Sequence, residues 1–289
     1  ALYTEGSRGS NVAIGYNALN KQSGSSGTAA DNVAIGYAAA EDATTATRMV
    51  IIGTNAGRDI TTGGSHTMVG WRAGFTNTTG TANTFIGNYS GYTNLTGYSN
   101  TAVGGSSFYY NSTGYESVAV GLNAGYMFGR GSHTPHSSVF VGNNSGYYAT
   151  GSYNTFVGKD AGKGGTTSAP YSSGYNNTAL GYQALISFTT AANNVAVGYQ
   201  AGYSSDSNGS NVFIGYAAGY EADSATTSAI NNVYIGQSAG QFLDDGTDNV
   251  AIGYSAMASN SDGAANAVAY SIAIGRNAMA SSVSNQGTI

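Results

Sequence analysis

Apolar and β-branched residues come in threes along this chain, and each triplet ends at a glycine: "VAIG" at Val12–Gly15, "VIIG" at Val50–Gly53, "TFIG" at Thr84–Gly87, "VFIG" at Val212–Gly215. With that glycine as position zero, fifteen copies align, at Gly15, Gly36, Gly53, Gly70, Gly87, Gly104, Gly121, Gly142, Gly158, Gly181, Gly198, Gly215, Gly236, Gly253 and Gly275. Eight of the fourteen intervals are 17 residues, and the others are 16 or 21–23. A fixed period just under 20, carried by a short β-type motif, predicts an all-β parallel β-solenoid with one coil per copy. That makes 15 coils of about 17 residues.

The triplet also makes a claim about faces. Position −1 is aliphatic in every copy and position −3 is β-branched (Val12, Thr84, Val195, Ile272), so the two share one side of an extended strand. They are expected to fill the coil interior. Position −2 then points outward, where a solvated strand would be polar. It is Ala in eight copies and Ile51, Met68, Phe85, Phe140, Phe156, Phe213 or Tyr234 in the rest. A strand apolar on both faces is buried on both faces. The outward position is therefore expected to lie against another chain or layer, with Phe85, Phe140, Phe156, Phe213 and Tyr234 as its interface residues.

Flanking positions complete the unit. Position −4 is Asn in ten copies and Ser in three, a pattern that fits a ladder of side-chain amides bonded coil to coil. Position +3 is always Ala or Ser, and +4 is Gly in nine copies, as a tight corner between closely stacked coils requires.

Composition narrows the function. The chain has 289 residues with 44 Gly, 23 Tyr, two Pro and no Cys, 8% charged residues and a net charge of −5. The aromatic and β-branched content is too high for a disordered chain. Nine scattered Lys and Arg form no basic patch, so no nucleic-acid partner is expected. No apolar run reaches the roughly 18 residues of a membrane span, so no membrane insertion is expected. Residues 1–10 read as an entry segment without the pattern of a secretory signal, 11–280 as the repeat domain and 281–289 as a closing segment. No nucleophile elbow or Ser/His/Asp order is present, and no catalytic residue, cofactor or metal site is expected. His133 and His136 form an H-x-x-H pair with no evident third ligand, and "LDDGTDN" (Leu243–Asn249) lacks a calcium-loop spacing.

Binding residues are sought on two features. Insertions fall between the corner and the next Asn, at "YMFGRGSHTPHSS" (Tyr126–Ser138), "KGGTTSAPYSSGYN" (Lys163–Asn176), "EADSATTSAI" (Glu221–Ile230) and "SNSDGAANAVAY" (Ser259–Tyr270). Inserted loops on a solenoid mark a face that tolerates change and often binds. Aromatic residues also fall in columns. Phe75, Tyr92, Tyr109, Tyr126 and Tyr147 occupy +5 in five successive copies, and Tyr182, Tyr199 and Tyr216 occupy +1 in three. Coils about 4.8 Å apart would stack such rings. Tyr92, Tyr109, Tyr126, Tyr147, His133 and His136 are the candidate binding surface, with stabilising stacks as the competing role. Sequons at Asn77, Asn94 and Asn111 follow from the composition.

"NTALGYQAL" (Asn177–Leu185), "NVAVGYQAG" (Asn194–Gly202) and the recurring "NVAIG" resemble the β-roll repeats of trimeric autotransporter adhesin heads and of phage tail-fibre proteins. The likeness spans almost the whole chain, although the unit of 17 is longer than is usual in adhesin heads. The resemblance implies a left-handed β-roll, three chains packed around an axis, a partner on a cell surface such as a glycan, and an extracellular, cell-surface or virion location. No stalk, anchor or chaperone domain of those families is recognisable, so their whole-protein roles are not carried over. A structural filament of head-to-tail stacked coils is the alternative. An ice-binding solenoid ranks last, because it needs an outward Thr array that the −2 position does not provide.

Overall fold

The computed structural model describes residues 10–23, 30–130, 134–165, 171–207, 209–221, 229–243, 246–259 and 268–280, with the backbone alone of 285–286. The chain is an all-β parallel β-solenoid with turns about 17 residues apart and no helix among the described residues. It forms two compact units, Ala1–Phe140 and Val141–Ile289. The first carries β1 (Val12–Ile14), β2 (Val33–Ile35), β3 (Val50–Ile52), β4 (Thr67–Val69), β5 (Thr84–Ile86), β6 (Thr101–Val103) and β7 (Val118–Val120), and β8 (Val139–Val141) falls at the division. The second carries β9 (Thr155–Val157), β10 (Thr178–Leu180), β11 (Val195–Val197), β12 (Val212–Ile214), β13 (Val233–Ile235), β14 (Val250–Ile252), β15 (Val268–Ala269), β16 (Ile272–Ile274) and β17 (Asn285–Gln286).

Within each unit the main ladder joins the same position of consecutive copies: Val12 opposite Val33, Thr84 opposite Thr101, Phe213 opposite Tyr234. Strands of three residues cannot hold together alone, and the ladder continues beyond them. The Ala38 N–H donates to the Tyr16 carbonyl, Ala40 to Ala56 and Asp42 to Arg58, so the turns are bonded coil to coil as the strands are. Four backbone positions in a coil adopt positive φ, for instance Ala82 (55°), Gly87 (134°), Tyr89 (58°) and Gly91 (60°). A non-glycine residue in that region costs on the order of 1 kcal/mol, and the neighbouring coils hold it there.

The structure reverses the expected faces. Phe85, Phe140, Phe156, Phe213 and Tyr234 are 0% exposed within the single chain, so −2 points into the coil and is no interface position. Positions −3 and −1 are the surface: Ile14 is 57% exposed, Leu180 47% and Ile214 38%. Parity decides this, because −2 shares its side with −4. The asparagines at −4 after the first copy, Asn83, Asn100, Asn177, Asn194 and Asn232 among them, are buried in the coil as well.

Those asparagines close the coils and join them. The Asn100 N–H donates to Asn83 Oδ1 at 3.0 Å, and Asn83 Nδ2 donates to the Gly97 carbonyl at 2.8 Å. The same pair of bonds recurs at Asn194, whose N–H donates to Asn177 Oδ1, while Asn177 Nδ2 donates to the Ala191 carbonyl. The amide ladder expected from the −4 pattern is present, built mainly of side chain to backbone bonds. Such bonds satisfy the buried amide at both ends, without which each would cost about 1–3 kcal/mol.

Size at −2 is matched across the coil at +4. Where −2 is large, +4 is Gly, as in Ile51/Gly57, Phe85/Gly91, Phe156/Gly162 and Tyr234/Gly240. Where +4 is large, −2 is Ala, as in Ala13/Leu19, Ala102/Phe108, Ala179/Leu185 and Ala251/Met257. A Cβ on Gly91 would lie 2.6 Å from Phe85 Cγ, so the ring occupies the space a side chain would take. The core sits between these two walls at close packing.

One buried group departs from the ladder. His66 stands where most coils have Asn, and its Nδ1 accepts the Asn83 N–H at 3.2 Å. Burial pulls its pKa from 6.5 down to about 4. Between these values the unfolded chain takes up a proton that the folded chain refuses, so stability falls as pH drops through this window, by at most about 3 kcal/mol. Urea unfolding at pH about 4.5 and about 7 should show this loss in the native chain, and His66→Asn should shrink it.

Candidate binding face

The aromatic columns form because the turn ladder holds the +5 and +6 positions in register. The Thr76 N–H donates to the Tyr92 carbonyl, Thr93 to Tyr109 and Tyr110 to Tyr126. Phe75, Tyr92, Tyr109 and Tyr126 consequently stack, with centroids 5.3, 4.9 and 5.0 Å apart and rings 11–23° from parallel. Tyr89 packs edge-on against Trp71 and Tyr92, and Tyr110 against Tyr109 and Tyr126. These rings make one patch on the first unit, and Tyr92, Tyr109 and Tyr126 lie within it.

His136 stacks on Tyr115 at 4.7 Å, and Tyr115 on Tyr98 at 4.8 Å, in a separate column. Tyr147 belongs to the second unit, edge-on to Tyr148 at 4.6 Å. His133 lies outside the described residues, as do the centres of the four insertions and Asp244 and Asp245 of the acidic run. Among the described residues no group of three or more His, Cys, Asp or Glu side chains could hold a metal ion. The sequon asparagines Asn77, Asn94 and Asn111 are fully buried, so the folded coil gives no access to them.

The arginines at this patch were not foreseen. Arg58 occupies +5 one coil before Phe75, and its guanidinium lies 4.1 Å from the Phe75 centroid, capping the column. Arg72 lies 5.0 Å from the Trp71 ring and 5.3 Å from Phe75, and Arg130 lies 4.4 Å from Tyr110. Arg58 pairs with Asp59 at 2.7 Å. The signal was legible for Arg58, which is the next member of the +5 column. Arg72 and Arg130 occupy other columns, and only the curvature of the turn brings them to the rings.

No protein-family model, curated protein or solved structure matches the chain. Its function therefore has to be read from its surface.

That surface has a second aromatic feature. Tyr182, Tyr199 and Tyr216 at +1 stack with centroids 5.2 and 5.0 Å apart in the second unit, and Tyr16 stacks on Tyr37 at 5.5 Å in the first. They border the exposed aliphatic side of the strands, formed by Val12, Ile14, Val50, Ile86 and Val120 in the first unit and by Leu180, Ile214, Ile252, Ile272 and Ile274 in the second.

Proposed function

We propose that the chain is a non-enzymatic, extracellular fibrous protein of a cell surface or virion, a left-handed β-roll of fifteen coils that works as a homotrimer and binds a cell surface through its aromatic and loop face. The observation that carries this reading is the exposed aliphatic side of the strands. Soluble monomers rarely expose contiguous apolar patches beyond a few hundred Å². Here each unit presents rows of Val, Ile and Leu at −3 and −1, edged by stacked tyrosines at +1. A second copy of the same regular surface is its natural cover, since identical coils offer identical spacing. The resemblance of the repeat to adhesin-head and tail-fibre β-rolls supplies the number three and the handedness.

Light scattering of the native chain should give the mass of three chains. Ile86→Lys combined with Ile214→Lys places charges on the proposed interface and should yield monomers that keep the circular dichroism of the parent. A monomeric parent sinks the reading. A mass that grows with concentration replaces it with the head-to-tail filament.

A further inference from the structure

We propose that the tyrosine column of the first unit, between Arg72 and Arg130, is a docking surface for an extended acidic polysaccharide. This rests on the reading of the chain as a surface-binding fibre and adds the chemical class of the ligand. Three observations carry it.

The first is charge. The chain as a whole is acidic, at −5, yet residues 70–130 contain only Arg72, Glu116 and Arg130 as charged residues. Glu116 adjoins Tyr115 in the other column, and its N–H donates to the Tyr98 carbonyl there. Both cations of this stretch thus lie on the patch and its carboxylate does not.

The second is the state of Arg72. Its guanidinium lies over Trp71 and Phe75, and its Nε is buried without a hydrogen-bond partner. The neighbouring Arg58 has its own carboxylate in Asp59. Among the described residues Arg72 is a cation held by aromatic rings with no counter-ion, and a ligand carboxylate would supply one with the short, strong bonds such pairs make.

The third is what the stacked rings leave open. In Phe75, Tyr92, Tyr109 and Tyr126 the ring faces are turned to one another, so a sugar cannot lie flat on them as it would on a lone tyrosine. The column offers ring edges, and at Tyr92, Tyr109 and Tyr126 phenol hydroxyls, on rings whose centroids are 4.9 and 5.0 Å apart. Burial, with the neighbouring tyrosines, raises the Tyr109 pKa, which keeps that phenol a donor. A row of donors repeating at about the length of one sugar unit suits a polymer with regularly placed oxygens. The coils of Arg72 and Arg130 are three apart, roughly 14 Å, so a short oligomer reaches both.

The test is titration calorimetry on the full chain with polygalacturonate, with dextran as the neutral polymer and duplex DNA as the other polyanion. Polygalacturonate should bind at low salt and weaken as salt rises, while dextran and DNA do not bind. Arg72→Gln and Arg130→Gln should each weaken binding at least about tenfold, and Tyr109→Phe by a few-fold, with the parent mass retained. Lys21→Gln, three coils before Phe75 and with its ammonium paired to Asp42, should change little. Absence of polygalacturonate binding, equal binding of dextran or DNA, or insensitivity to both arginine changes would overturn the proposal. A trimer that ignores polygalacturonate overturns this inference alone. A monomer that binds it overturns the assembly and leaves the site standing.

Discussion

Truncating Phe85 to alanine is expected to destabilise the chain by about 4 kcal/mol, and adding Gly91→Leu to the same chain should restore a large part of that loss. The ring is fully buried, and a Cβ on Gly91 would overlap it. Removing the ring leaves a cavity, and a leucine at +4 grows into it from the opposite wall. The +4 backbone accepts such a residue, since Leu19, Leu185 and Phe108 hold φ of 49°, 50° and 47° there. In the parent background Gly91→Leu alone should be severely destabilising, because ring and side chain would claim one volume. Urea unfolding of the two single variants and the double variant measures the coupling, expected at several kcal/mol. If Gly91→Leu costs the same with and without Phe85, the two positions do not share a space.

The second large effect lies at the invariant glycine. Gly87 has φ of 134°, and a Cβ there would lie 2.6 Å from the Gly104 carbonyl oxygen of the next coil. Gly87→Ala thus meets two penalties, a backbone region that L-residues avoid and an overlap with backbone that cannot move aside. A loss of more than about 4 kcal/mol is expected, at the level that marks a structural clash. Gly275 separates the two terms. Its φ is 126°, but among the described residues a Cβ there meets nothing within 4 Å. Gly275→Ala should cost only the conformational part, roughly 1–3 kcal/mol. Thermal or urea melts of the two variants compare them directly, and equal costs would mean that the coil-to-coil approach is not what keeps the glycine.

The period, the strand class and the amide ladder were legible because each is local. A triplet, a glycine and an asparagine recur at fixed offsets, and hydrogen bonding between identical coils does the rest. The direction of the side chains was not legible from the triplet. With both sides apolar, alternation alone gives two equivalent answers, and uniform aliphatics at −1 look like a core. The deciding signal lay further off. Residues that vary from Ala to Phe at −2 while +4 varies inversely are sharing a fixed volume, whereas a face whose size never changes has no such constraint. Parity with the buried Asn at −4 gives the same answer. In the binding face, the tyrosine stack followed from the +5 column. The separation of His136 from it, and the approach of Arg72 and Arg130, depend on how the turn folds around the core.

The paired sizes at −2 and +4 also bear on how such a core can change over generations. Passing directly from a Phe/Gly coil to an Ala/Leu coil takes two substitutions, and the order matters. Enlarging +4 first creates an overlap, while shrinking −2 first creates a void. Three coils hold that second, doubly small state: Ala34 with Ala40, Ala119 with Gly125 and Ala196 with Gly202. In the two with Gly at +4 the void does not stay empty. A Cβ on Gly125 would meet Phe108 and Phe140, and one on Gly202 would meet Leu185 and Phe213, so large residues of other coils lean into the gap. No coil among the described residues holds the doubly large state. Inheritance in this fold thus has a passable route through small pairs sheltered by bulky neighbours, and coils next to Phe or Leu are where new sequence variants should first be tolerated.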